Sequence, residues 1–354
     1  MNILISFRAG LGDFITLTPL FRALTVDGSH RLFLLVNREL KPLVGAYSCF
    51  SEVLYVDYRS GPYLRTKGLV DAVKKFRGRV DMTITPLFQS SKFSSSIPIL
   101  LASRKAVFYY RDFLSQFHHG TILPVESGEP NVLQSLKLLK LFNLEPAGID
   151  TEIPVPGEYL DRADIFLRSI GCDEGTFKVC VAPYVKGMKD YAAKEWGFEN
   201  YYSLALKLME RFHAKVIFIG SKNEIAKIKT DMPDIEAKGI FLQPAEFDIL
   251  TVAALIKRCD LLICNDGGLM HVGVAVNVPV VSIWGPTCPE RTGYPYKNNF
   301  LVVKNDLCKP CRYDYEKCWR PRQICLDIPV EEVFQVCQKE VLKILDRKAQ
   351  GGGD

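Results

Sequence analysis

The chain has 354 residues, 48% of them apolar and 24% charged, with a formal net charge of +5 at pH 7. That length exceeds an ordinary single domain and suits two, and the composition is globular, which excludes a disordered or fibrous protein. The mild positive charge suits a phosphate-bearing substrate or an anionic membrane surface; it is too small and too dispersed for a nucleic-acid partner. No apolar run approaches the ~18 residues that would span a bilayer. Arg8 also ends the N-terminal apolar run too early for a signal-peptide core. A cytoplasmic protein is therefore expected, with its 11 cysteines mostly reduced. Cys49, Cys172, Cys180, Cys259, Cys264, Cys288 and Cys337 read as buried small hydrophobes.

In chain order, Asn2–Phe7 is a β-rich run, and Arg8-Ala9-Gly10-Leu11-Gly12-Asp13 is a glycine loop. Phe14–Leu24 has helical periodicity, with Pro19 placed to kink it. The loop lacks the G-x-G-x-x-G spacing of a dinucleotide fingerprint. Strands are predicted at Arg31–Val36, Val53–Asp57, Val80–Thr85 and Ala106–Tyr110, and helices at Leu69–Phe76 and Asn131–Phe142. Three prolines and two glycines between Pro146 and Gly157 mark the approach to a linker, and Asp161–Ser169 is a further helix. A second series follows: strand Lys178–Pro183, helix Tyr201–Phe212, strand Ala214–Ser221, helix Phe247–Lys257 and strand Leu261–Ile263. Glu331–Lys348 is a last amphipathic helix, and Gly351–Asp354 should be a disordered tail. Strands alternating with helices imply parallel βαβ units in two domains with a ligand cleft between them.

The stretch Cys264-Asn265-Asp266-Gly267-Gly268-Leu269-Met270-His271 reads as strand, glycine turn and helix start. A helix start offers unpaired N–H groups to a phosphate, and glycines let the backbone come close to it. Val278–Thr287 is the next strand, ending in its own Gly285-Pro286-Thr287 turn. Taken alone, these residues fit an anion seat and an unliganded βα turn about equally well. Taken alone, too, Asp13 reads as a helix N-cap, Lys194 as a solvated lysine, Glu224 as a capping or exposed carboxylate and His271 as a packed core histidine.

Four stretches in order carry a family resemblance. They are Ile3–Leu24 with Arg8, Leu11-Gly12-Asp13 and Thr18-Pro19-Leu20; Lys194-Glu195-Trp196 after Val181-Ala182-Pro183; Ile219–Glu224; and Asn265–His271 with Val280–Arg291. Together they resemble the ADP-heptose:lipopolysaccharide heptosyltransferases, glycosyltransferase family 9, from Asn2 to about Val341. The resemblance implies an α/β GT-B fold, two Rossmann-like parallel-sheet domains facing a central cleft. It places an acceptor-side domain at residues 1–165 and a nucleotide-sugar domain at 175–328, with a helix at 329–350 packing back on the N-terminal domain. It implies an inverting, metal-independent transfer of heptose from ADP-heptose to a lipopolysaccharide inner-core sugar, with Asp13 as general base. Donor contacts are implied for Lys194, Glu224, Asp266, Gly267, Gly268, Leu269, His271 and Thr287, and acceptor contacts for Arg59, Arg65, Lys67, Lys92 and Arg104. Gly267 departs from the family, where Ser or Thr usually stands, so one hydroxyl donor to phosphate is missing.

Two further readings are open. One is heptosyl transfer to Ser or Thr of an autotransporter adhesin, and the other is a non-catalytic nucleotide-sugar-binding protein. Lys74, Lys75, Arg77 and Arg79 suit anionic lipid head groups, which would bring the protein to the cytoplasmic face of the inner membrane. Cys308-x-x-Cys311 with Cys318 and Cys325 has thiolate-ligand character for a structural Zn or Fe, although the spacing is irregular for a ribbon-type site.

Overall fold

Strand and helix alternate along the chain, as the apolar runs require. The computed structural model describes residues 1–57, 62–86, 97, 100–101, 103–108, 120–126, 128–185, 194–293, 296–304 and 324–349. These fall into two compact units, Met1–Pro154 and Val155–Asp354.

The first unit contains β1 (Asn2–Ser6), α1 (Leu11–Ile15), α2 (Thr18–Thr25), β2 (Arg31–Asn37), α3 (Lys41–Val44) and β3 (Phe50–Val56). It continues with α4 (Pro62–Phe76), β4 (Met82–Ile84), β5 (Lys105–Phe108), β6 (Gly120–Ile122) and α5 (Asn131–Leu136). The strands form one parallel sheet in the order β3-β2-β1-β4-β5-β6. Ile3, Leu4 and Ile5 are fully buried, which is why β1 reads as a continuous apolar run and not an alternating one. Ala72 and Phe76 of α4 pack on Leu4, Phe33 and Leu35 of the sheet.

The helix expected over Phe14–Leu24 is two helices. Pro19 lies in the first turn of α2, where its missing N–H costs nothing. The join is closed by Leu17 N–H donating to Phe14 O and the Thr18 hydroxyl donating to Ile15 O at 2.9 Å.

The second unit contains α6 (Gly157–Ser169), β7 (Lys178–Ala182), α7 (Phe198–Phe212), β8 (Lys215–Phe218), α8 (Lys222–Asp231) and β9 (Ile240–Leu242). It goes on through α9 (Ile249–Lys257), β10 (Leu261–Asn265), α10 (Gly268–Ala275), β11 (Val280–Trp284), α11 (Pro289–Thr292), β12 (Asn299–Val303) and α12 (Val330–Ala349). Its parallel sheet runs β12-β11-β10-β7-β8-β9. Counted within each unit, both sheets have the order 3-2-1-4-5-6, with the reversal between the first and fourth strands. α6 packs beside α9 through the Asp164–Arg258 ion pair at 2.9 Å and the Phe166–Phe247 edge contact. α12 places Val333, Cys337, Val341 and Ile344 in the same core as Tyr201 and Leu204 of α7.

α10 is almost wholly buried against β10 and β11. Gly273 permits this: a Cβ there would stand 2.6 Å from Leu262 Cδ2 and 2.8 Å from Val280 Cγ2. The helix that follows the Asp266-Gly267 turn is thus seated directly on the two strands that carry the site.

Candidate functional site

β10 pairs with β7 on one side and β11 on the other, in register at Cys264↔Ala182 and Asn265↔Ile283. Their carboxyl ends therefore bring together residues after Ala182, after Asn265 and after Trp284. This is the end of an open α/β sheet, beside its reversal point, where ligands bind.

Asp266 is the centre of that end. Its N–H donates to Ile283 O at 3.0 Å, which fixes the turn on β11. Its Oδ2 accepts from Lys194 Nζ at 2.9 Å and from Thr287 Oγ1 at 2.5 Å. The two charged side chains are 11% and 7% exposed, so this ion pair is largely withdrawn from solvent. Lys194 is held there by its neighbours. Asn265 Oδ1 accepts from Trp196 N–H at 2.9 Å, while Asn265 Nδ2 donates to Pro183 O at 2.8 Å. Trp196 Nε1 donates to Ile328 O, and Glu195 Oε1 accepts from Val185 N–H. Burial pushes the Glu195 carboxyl up.

α10 starts two residues beyond Asp266, with Gly267 at its N-cap and no side-chain cap on its first turn. Gly267, Gly268 and Leu269 therefore direct N–H groups and the positive end of a helix dipole to the region of Lys194. The missing Ser or Thr side chain has a local counterpart, because a Cβ on Gly267 would come within 3.2 Å of Val185 Cγ1. His271, one turn on, is buried, its Nδ1 has no partner, and its ring meets Tyr296 edge-on. Burial lowers its pKa to about 4; the Asp266 carboxylate opposes that shift and Lys194 adds to it. The imidazole is neutral at pH 7.

Glu224 stands at the same end of the sheet, after β8. Its Oε2 accepts from Ser221 N–H at 2.6 Å, and Ser221 Oγ accepts from Glu224 N–H at 3.4 Å, a capping box that starts α8. Gln243, buried at the end of β9, donates to Gly220 O at 2.7 Å and pins this turn.

In the first unit, Asp13 is half-exposed in α1. Its Oδ2 accepts from Gly10 N–H at 3.1 Å, and its carbonyl accepts from Thr16 Oγ1 at 2.8 Å. Asp13 thus caps α1 from N3, inside the helix, with Gly10 at the N-cap position expected for Asp13. Arg59 and Lys92 lie outside the described residues, as does the side chain of Arg65. Lys67 is exposed on α4. Arg104 is exposed at the start of β5, next to Lys105, which is in register with Met82 and so level with Ile3 of β1. That is the end of the sheet opposite the loop of Asp13, so the structure does not bring these two together. Lys75 and Arg79 both pair with Glu52, while Lys74 and Arg77 are exposed.

Cys308, Cys311 and Cys318 lie outside the described residues, as does the tail 351–354; Cys325 is buried in the turn Ile324–Leu326. Among the described residues no group of three His, Cys, Asp or Glu side chains is arranged to hold a metal ion. The structure therefore lends no support to the expected Zn or Fe. No described helix is long and apolar enough to cross a membrane.

Reasoning from sequence missed Asn265, Glu195 and Gln243 as the residues that hold the site in shape. A polar side chain at the end of an apolar strand run was the available signal for Asn265 and Gln243.

The lipooligosaccharide heptosyltransferase 2 of Haemophilus influenzae is 30% identical over 148 residues, 40% of this chain and 42% of that protein. The match thus spans less than half the length of that relative. Among solved structures, a glycosyl transferase family 9 protein from Veillonella parvula superposes with a TM-score of 0.78 at 19% identity, covering 97% of both chains. Escherichia coli ADP-heptose lps heptosyltransferase II gives 0.72 at 18% identity, covering 97% of this chain and 99% of that one. The two-sheet α/β architecture is therefore of the GT-B kind seen in those proteins. Residues 174–319, which include Lys194, Glu224, Asp266, His271 and Thr287, match glycosyltransferase family 9 (heptosyltransferase).

Proposed function

We propose that the chain is an inverting glycosyltransferase that moves heptose from ADP-heptose to an inner-core sugar of lipopolysaccharide. The observation that carries this reading is the convergence of Lys194, Asp266, Thr287 and the uncapped start of α10 within the stretch matched to family 9. The diphosphate of the donor gains charge as the glycosidic bond breaks. Lys194 and the N–H groups of Gly267, Gly268 and Leu269 stabilise that charge, with the heptose near Asp266 and neutral His271. Glu224 takes the ribose hydroxyls once its carboxylate is shared with Ser221 N–H. Asp13 accepts the proton of the attacking acceptor hydroxyl. Arg59, Arg65, Lys67 and Lys92 meet the anionic acceptor, and Lys74 and Arg77 meet anionic lipid at the cytoplasmic face of the membrane. The chemistry assigned to these residues needs no metal.

The test is incubation of the purified chain with ADP-heptose and, in parallel, lipopolysaccharide core lacking the heptose or an adhesin polypeptide, read by mass spectrometry. A mass gain of one heptose on the core supports the reading. Gain only on Ser or Thr of an adhesin replaces the acceptor. Donor binding without transfer to either overturns the enzymatic assignment.

A further inference from the structure

The Lys194 ammonium that the proposed function gives to the donor's diphosphate is already occupied. Asp266 Oδ2 takes it at 2.9 Å, and Thr287 Oγ1 aims a second donor at the same oxygen. Both members of the pair are nearly out of solvent, so the attraction between them, and any repulsion by Asp266, is weakly screened. A phosphate cannot approach Lys194 without competing with this carboxylate. Nor can it reach the start of α10, two residues along the chain, without coming near the same negative charge.

We infer that Asp266 is a product-release residue: it competes with the diphosphate for Lys194 and so makes the site hold ADP more weakly than the intact nucleotide sugar. This rests on the donor seat proposed above. The charges set the direction. In a nucleotide diphosphate sugar each phosphorus carries one negative charge, two in all. When the sugar leaves, the terminal phosphate gains a further ionisable oxygen, and ADP approaches three. Asp266 therefore repels the product more than the donor. The donor also carries the hydroxyls of the transferred sugar beside its terminal phosphate, which can donate to the carboxylate; ADP has no hydroxyl at that end. With the sugar present Asp266 is satisfied by hydroxyls and Thr287, and Lys194 turns to the diphosphate. Once the sugar has gone, Asp266 reclaims Lys194 and the nucleotide is expelled. Thr287 keeps Oδ2 oriented in both states, which makes it a positioning residue.

The experiment compares calorimetric affinities for ADP and for ADP-heptose in the wild-type protein, Asp266→Asn and Lys194→Ala. The isosteric Asn keeps an acceptor for Thr287 and removes the charge. Asp266→Asn should bind ADP on the order of tenfold more tightly than wild type, with less change for ADP-heptose, so that the preference for donor over product collapses. The same variant should show slower ADP release in stopped flow, and the tighter binding should shrink in a Lys194→Ala background. The quantity read is the ratio of the two affinities, which a partly unfolded sample does not move. If wild type binds ADP and Asp266→Asn binds it equally or more weakly, with the ratio unchanged, the inference is overturned while the donor seat stands. If wild type binds neither ADP nor ADP-heptose, the donor seat fails and the inference fails with it.

Discussion

The two units have one strand order and hold their glycine loops in different ways. In the first, β1 runs into Gly10-Leu11-Gly12-Asp13, and Asp13 takes a capping bond from Gly10 N–H on its carboxylate and one from Thr16 Oγ1 on its carbonyl. In the second, β10 runs into Asp266-Gly267-Gly268, and that loop is fixed by a buried ion pair, an Asn bridge and a helix seated directly on the strands. The topology is shared, so the difference comes from side chains. The first loop presents a half-exposed carboxylate, fit to exchange protons. The second builds a fixed arrangement of charges, fit to hold an anion.

The largest expected effect separates these roles. Asp13→Ala should lower kcat by about 10²–10⁴-fold, the usual worth of a general base, and leave ADP affinity within about twofold. Turnover assays and calorimetry on the same sample check this. A variant that retains wild-type turnover would show that the carboxylate of the first loop only caps its helix.

Lys194→Ala probes the other loop. It leaves Asp266 buried without its Lys194 partner, and losing one member of such a pair costs roughly 3–5 kcal/mol. Denaturant unfolding should show that loss, and donor affinity should fall with it. A stability change below about 1 kcal/mol would mean that the pair is solvated in solution, like an ordinary surface ion pair.

His271 gives the second loop a pH signature. In the unfolded chain it takes up a proton near 6.5, and in the folded protein only near 4. Between these values the unfolded state binds more protons, so stability is complete above pH 6.5 and falls as pH drops toward 4. The interval is worth roughly 3 kcal/mol at most. Unfolding of wild type and His271→Gln across that range should show a steeper acid loss in wild type; parallel curves would remove the buried neutral histidine from the account.

Gly273→Ala should cost about 1–3 kcal/mol, the usual range for overpacking, because Leu262 and Val280 occupy the space of a Cβ. Since α10 carries the Gly267 and Gly268 N–H groups, ADP affinity should fall in step with stability. Calorimetry beside a thermal melt would separate this from a purely global effect.

The fold was legible because both sheets are buried on both faces, so β1 and β10 appear in sequence as apolar runs bounded by glycine loops. The short strands β6, β9 and β12 were missed, since three to five residues leave little pattern to read. α8 was also missed, although Ser221 and Glu224 spell its capping box. In the site, the meeting of Lys194, Asp266 and Thr287 depends on β7, β10 and β11 being neighbours, which spacing along one chain does not reveal. Only the family resemblance put these three in one list, and it did not say that they would bond to one another. Arg104 shows the converse. Its residue type suited an anionic acceptor, but strand register places it at the far end of the sheet from Asp13.

The smallest expected effect concerns Gly267, where the family resemblance leads one to expect Ser or Thr. Its φ of −174° is extended backbone that any residue adopts, so a side chain brings no backbone strain. The constraint is Val185, whose Cγ1 would lie 3.2 Å from a new Cβ and must give by a few tenths of an ångström. Gly267→Ser should therefore change stability by less than about 1 kcal/mol. It should strengthen ADP binding a few-fold by restoring a hydroxyl donor, about the net worth of one hydrogen bond. Pairing it with Val185→Ala removes the contact and should recover whatever stability the serine lost. If the double variant is no more stable than the sum of the two single changes, Val185 is not what keeps this position a glycine.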